Sequence, residues 1–276
     1  MRKVIYDVDY NKRIFYLLIE GRKVAFYLSN RLSKTFLYYL DKLVLVDFEI
    51  TAKRKRVGRT WAYQVDYFNQ IINLKPRRII YDLARLRAEM KRVLSKHKYF
   101  LFVDFEMTMP GYRKEEFRSE IIQVGYVLAK RNEAPIVTDG YYVMPVTTTT
   151  LSKRTKRFLN LDEEEFFVNA KPFTYFYQEL KLILKKYKPK IVVWGKNDCM
   201  ALNDSYPLHK LPRLTRETHF IDLLKLHKDY YNLRDDLGLF KAYKGYYQVD
   251  EVQRHDAKDD AAITKMVFDA FIETIK

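Results

Sequence analysis

A chain of 276 residues, 48% hydrophobic and 31% charged, can bury one large core or two modest ones, and its composition does not indicate disorder. Its single cysteine, Cys199, excludes an internal disulfide and fits a reducing compartment; no charged-then-apolar leader opens the chain and no apolar run has membrane-spanning length, so the expectation is a soluble, cytoplasmic protein with no membrane partner. The formal charge of +16 is unevenly spread: residues 1–98 hold 23 Lys and Arg against 9 acids, whereas residues 99–276 hold 28 against 26. That asymmetry points to a polyanion-binding module ahead of a nearly neutral one.

From Met1 to about Asn73 run short strand-like segments, VIYDV, IFYLLIE, VAFYL, LVLVDFEI and WAYQVDYF, with Gly21 and Gly58 between some of them. Short strands broken by polar turns predict a small closed or nearly closed β-barrel over residues 1–75, with a helical insert near Leu32–Leu40. Phe15, Tyr16, Phe26, Tyr27, Trp61 and Tyr63 are interleaved with Arg22, Lys23, Lys53, Arg54, Lys55, Arg56 and Arg59. Aromatic rings flanked by cations hold single strands without reading bases. Most of these rings must be core in so small a barrel, so the cations Lys53–Arg56 and Arg59, with Trp61, are the candidate nucleic-acid contacts. The segment resembles an OB or cold-shock barrel. Residues 76–97 then read as one amphipathic connecting helix, with Pro76 at its start and Ile79, Leu83, Leu86, Met90 and Val93 three or four apart.

Tyr99–Thr108, YFLFVDFEMT, reads as a buried strand whose end carries Asp104 and Glu106. Two positions apart on a strand, both carboxylates leave the same face. Like charges held close in a partly desolvated place must protonate or find a cation. Alone, a D-x-E triplet is a weak signal, since a strand with one wet face produces it too. Val46–Thr51 repeats nearly the same letters, but Asp47 and Glu49 are followed by the basic run 53–56, whereas Asp104 is followed by a further strand, EIIQVGYVL, and two more acid-bearing motifs.

Strands are predicted at Glu120–Lys130 and Gly140–Val146, helices at Ser152–Phe166 and Phe173–Tyr187, then a strand Lys190–Trp194 ending in GKND, which places Asp198 at the strand's end or a helix start. HFID ends at Asp222, where a helix cap is expected; helices follow at LLKLHKDYYNL, around RDDLGLFKAY, and from His255 to Ile275, with Asp256, Asp259 and Asp260 in its first turns. His209, His219 and His227 lack metal-like spacing, and Cys199 has no neighbouring base.

Set side by side, D-x-E at 104 and 106, W-G-x-x-D at 194–198 and H-x-A-x-x-D-A at 255–261 resemble the DEDD (DnaQ-like) 3′–5′ exonuclease superfamily. The third motif, with histidine five residues before aspartate, matches its histidine branch (DEDDh), and W-G-x-x-D is similar to that of RNA-trimming and KapD-like members. The resemblance covers about residues 98–276 and implies an α/β ribonuclease H-like domain. It also implies four acidic ligands, Asp104, Glu106, Asp198 and Asp260, for two Mg²⁺ or Mn²⁺ ions, Asp104 bridging both, and His255 as general base. Asp259, four residues from His255, rivals Asp260; Asp256 is a lesser rival. Two ions about 4 Å apart clamp the attacking and leaving oxygens of a phosphodiester displacement, oxygen ligands suit such ions, and imidazole suits proton removal near neutrality. The expected function is hydrolysis at the 3′ end of single-stranded nucleic acid, RNA favoured over DNA, releasing nucleoside 5′-monophosphates. A silent binding protein and a proofreading component of a polymerase assembly are the alternatives; the complete acid and histidine set argues against the first, the basic first third against the second.

Overall fold

The computed structural model describes residues 1–111, 117–233, 235–249 and 255–275. The chain divides into two compact units, Met1–Met90 and Lys91–Lys276.

The first unit contains β1 (Arg2–Val4), β2 (Asp7–Asp9), β3 (Ile14–Ile19), β4 (Arg22–Tyr27), α1 (Asn30–Phe36), β5 (Val44–Val57), β6 (Thr60–Leu74) and β7 (Arg77–Asp82), and helix α2 (Leu83–Ser95) begins in it. Pairing runs β1-β5-β6-β4-β3-β2, antiparallel except for β4 with β6. β1 continues into β2 through Ile5 and Tyr6, whose N–H groups donate to Val44 and Tyr16 at 2.8 and 2.9 Å, so the ring of pairing closes on itself. Phe15 with Leu17 on β3 and Val46 with Phe48 on β5 face inward at period two, and with Phe26, Val65 and Phe68 they form one core. α1 and the 3₁₀ turn after it occupy most of the predicted helical insert.

The helix expected across residues 76–97 is shorter. Ile79, Ile80 and Tyr81 are β-branched or aromatic residues that suit a strand; they lie on β7, paired with the far half of β6. The Asp82 side chain accepts the Arg85 N–H at 2.9 Å and so starts α2 at Leu83. Of the predicted stripe, Leu83 and Met90 are buried, whereas Ile79 is half exposed. Because the units divide at residue 90, Lys91, Arg92, Lys96 and Lys98 fall in the second; the first then holds 19 basic and 9 acidic residues and the second 32 and 26.

The second unit has β8 (Tyr99–Met107), β9 (Ile121–Lys130), β10 (Pro135–Met144), α3 (Lys153–Leu159), α4 (Glu163–Asn169), β11 (Lys171–Pro172), α5 (Phe173–Tyr187), β12 (Lys190–Val193), α6 (Asn197–Leu208), β13 (Phe220–Asp222), α7 (Leu223–Tyr231), α8 (Leu239–Tyr247) and α9 (Ala257–Thr274). Its sheet runs β11-β10-β9-β8-β12-β13, a meander of β8 to β10 extended by β12 and β13 parallel to β8. This is the mixed α/β, ribonuclease H-like sheet. Both faces of β8 are covered: Phe100 and Phe102 pack with α8 and α9, while Leu101, Val103 and Phe105 pack with α5 and α6. The single helix expected at Ser152–Phe166 is two, because Asn160 takes a left-handed conformation (φ 49°) and Asp162 caps α4. Among the described residues no helix is long and apolar enough to cross a membrane.

Candidate active site

β8 brings Asp104 and Glu106 to its carboxyl end on the face that α9 covers. Asp104 is paired in register with Gly125 of β9. A Cβ on Gly125 would lie 2.0 Å from the Ala257 carbonyl carbon, so only glycine lets the start of α9 approach this closely. That approach delivers the third motif. Asp256 caps α9, accepting the Lys258 and Asp259 N–H groups at 3.0 and 3.1 Å, and receives Gln123 Nε2 at 2.7 Å. Asp260, one turn in, is buried, whereas Asp259 is exposed. His255 precedes the cap with φ 53°. Its Nδ1 lies 3.9 Å from Glu106 Oε1 and its ring lies 4.1 Å from that of Phe158. Ligand atoms of Glu106, His255 and Asp260 lie within 4.8 Å of one another.

The second motif arrives from the other layer. Gly195, at φ 93°, makes the turn from β12 into α6, whose second residue, Asp198, is buried and accepts the Phe105 N–H at 3.0 Å. This bond links the second motif to the residue between the first two acids. Trp194 donates Nε1–H to the Leu237 carbonyl at 3.0 Å and packs in the core, so its part is structural.

Burial, then the charges of Asp260, Asp198 and Asp256, pushes the Glu106 carboxyl up to about 8. Asp198 is pushed up to about 7, mainly by burial, against hydrogen bonds from the Phe105 and Asp198 N–H groups. Asp104 is half-buried, and burial, then the charges of Asp198, Asp260 and Glu106, holds its carboxyl well above the ordinary range. Acids that cannot ionise together without a cation are a donor set suited to divalent ions. Beside them Gln123, Tyr142, Phe158, Leu159, Asn160, Leu161, His255 and Asp256 line a cleft of about 570 Å³.

Asp47 and Glu49, on β5 in the other unit, lie 3.7 and 3.9 Å from the chain's amino terminus. Asp222 caps α7, His209 stacks on Phe173, His219 accepts the Arg216 N–H and His227 is buried among aromatic rings. Lys53, Arg54, Lys55, Arg56, Arg59 and Trp61 share the β5–β6 hairpin and are all exposed. Arg54 lies 4.6 Å from the centroid of the Tyr63 ring and Lys55 lies 5.8 Å from that of Tyr27. Sequence reasoning passed over Gln123, although a lone polar residue in an apolar strand marks it, and Phe158, for which the sequence carries no signal.

The sheet order is that of a ribonuclease H-like fold, and the second unit is a 3′–5′ exonuclease domain of the DEDD class. A family model described as exonuclease (RNase_T) matches residues 101–268, and the chain belongs to that family, whose members use divalent metal ions. It is 29% identical over 170 residues to the probable 3′-5′ exonuclease KapD of Bacillus subtilis (strain 168), covering 61% of this chain and 82% of that protein. Solved structures share the fold: the nuclease domain of 3′hExo, a DEDDh family member bound to rAMP (TM-score 0.57, 22% identity, 65% of this chain and 94% of that one), and cell-death related nuclease 4 (0.54, 20%, 64% of each).

Proposed function

We propose that the chain hydrolyses single-stranded nucleic acid from its 3′ end, RNA in preference to DNA, releasing nucleoside 5′-monophosphates. The observation that carries this reading is the approach of three distant sequence motifs: Glu106, His255 and Asp260 offer ligand atoms within 4.8 Å of one another, and Asp198 accepts the N–H of Phe105 between the first two acids. Asp104, Glu106, Asp198 and Asp260 would hold two Mg²⁺ or Mn²⁺ ions, which supply an activated water and charge stabilisation at the phosphate. His255 takes the proton of the attacking water; its ring packs against the tilted ring of Phe158, and the Gln123–Asp256 hydrogen bond fixes the backbone beside it. The cleft between Tyr142 and Phe158 receives the terminal nucleotide. The preference for RNA rests on the resemblance of Trp194–Asp198 to RNA-trimming relatives.

The basic barrel is read as the holder of the strand. Its pairing ring, counting β1 with β2 as one bent strand, has the order first-second-third-fifth-fourth with third and fifth parallel, which supports an OB-type assignment. The hairpin of Lys53–Trp61 joins the fourth and fifth strands, a usual place for oligonucleotide contacts in such barrels.

End-labelled RNA and DNA oligonucleotides, incubated with Mg²⁺, Mn²⁺ or a chelator, test the reading. Stepwise shortening from the 3′ end, faster on RNA and abolished by chelator, is expected; no shortening of either, or shortening from the 5′ end, overturns it.

A further inference from the structure

Within five residues α3 carries Lys153, Arg154, Lys156 and Arg157 and no acid. At 3.6 residues per turn, buried Thr155 and Leu159 face the protein, and Lys153, Arg154, Arg157 and Phe158 form a single exposed stripe on the opposite side. Lys156 is neutralised by Glu163 at 2.6 Å. Lys153, Arg154 and Arg157 form no ion pair among the described residues.

The helix is fixed in place relative to the acids. Met109, two residues beyond β8, donates its N–H to Thr155 Oγ1 at 2.9 Å and accepts from Ser152 Oγ at 2.9 Å. Glu163 also receives the Leu151 N–H. At the far end Phe158, one turn from Arg154 on the same face, packs its ring against that of His255 at a tilt of 35°, and Phe158–Leu161 line the cleft. A face serving only solubility has no need of these ties or of an exposed aromatic ring over the histidine.

We propose that Lys153, Arg154 and Arg157 hold successive phosphates of the substrate strand just 5′ of the nucleotide in the cleft, α3 acting as a positioning rail. This rests on the exonuclease reading of that cleft.

The test uses the full chain and a variant combining Lys153→Gln, Arg154→Gln and Arg157→Gln. A single-strand oligonucleotide of about a dozen residues and a nitrophenyl ester of a nucleoside monophosphate, which has one phosphate, serve as substrates across a salt series. On the oligonucleotide, KM is expected to rise on the order of tenfold with kcat little changed, and the log-log dependence of binding on salt to flatten by about 2, at about 0.7 for each of three phosphates. Hydrolysis of the ester is expected to be unchanged, and Lys153→Arg with Arg154→Lys and Arg157→Lys to restore the slope. The barrel is identical in all three proteins, so the difference isolates α3. Equal KM and slope in the wild type and the Gln variant overturn the rail. Absence of hydrolysis by the wild type overturns the exonuclease reading instead; binding with metal chelated then decides the rail alone, a flatter slope in the variant supporting it and equal slopes refuting it.

Discussion

Glu106 and Asp198 are raised toward neutrality by burial and by neighbouring acids, so without metal the folded protein binds protons that the unfolded chain releases. A carboxyl whose pKa is higher when folded contributes its full stability below its unfolded value and loses it as pH rises through the folded one. The metal-free protein is therefore expected to lose melting temperature from about pH 4.5 to about pH 8, and Glu106→Gln to remove part of that loss; calorimetry in chelator would show it, and a flat profile would mean that repulsion is already relieved. Each kcal/mol recovered should raise the melting temperature by about 2–4 °C. Alanine at Asp104, Glu106, Asp198 or Asp260 should lower kcat by at least about a hundredfold with the fold intact, while Asp47→Ala with Glu49→Ala leaves short-oligonucleotide cleavage unchanged. Near-normal turnover by two of the four variants would contradict the ligand set. His255→Ala should slow the chemical step with metal affinity retained, and higher pH should restore part of the rate as hydroxide replaces the base; an unaltered pH profile would make the histidine structural. Three motifs were legible because their spacing is a one-dimensional signal. In one dimension only the five-residue motif spacing sets Asp260 apart from Asp259; on the helix the two also differ in burial, Asp260 buried and Asp259 exposed.

At the level of elements, the position of α9 hangs on Gly125. Gly125→Ala overpacks the approach to Ala257 and should cost about 1–3 kcal/mol, with a fall in kcat beyond what the melting temperature explains, because Asp260 and His255 travel with the helix start. Gly245→Ala, where a Cβ meets nothing within 4 Å, should leave turnover unchanged. Equal turnover in both would show that the close approach does not set the site. The meander, β12 and the terminal helix were readable from apolar runs and flanking turn residues. The strand at 77–82 was not, since Ile79 and Ile80 satisfy a helical stripe as well as a strand, and the choice was made by pairing with β6, which comes earlier in the chain. Likewise the break at Asn160 depends on a left-handed residue whose conformation the helical pattern around it conceals.

Across the whole molecule, the change in charge density falls near residue 98, whereas the compact units divide at residue 90, so four basic residues belong with the second unit and not with their basic neighbours in the first. Charge varies along the chain, but packing decides which core a residue joins, and the division at residue 90 falls within the α2 segment. Replacing Lys53, Arg54, Lys55, Arg56 and Arg59 by Gln and Trp61 by Ala should weaken binding of a long single strand and flatten its salt dependence, by about 0.7 in slope for each phosphate no longer neutralised, while the one-phosphate ester is still turned over. Binding measured with metal withheld checks this, and an unchanged slope would leave the hairpin without a nucleic-acid role. The hydrogen bond from Phe105 to Asp198 joins residues 93 apart in the chain. Loops of any reasonable length could therefore connect the same three motifs, since doubling a flexible loop costs only about 0.6 kcal/mol. A surface insertion for labelling or tethering therefore belongs in those loops and not beside Gly125, where the helix start is held against the sheet.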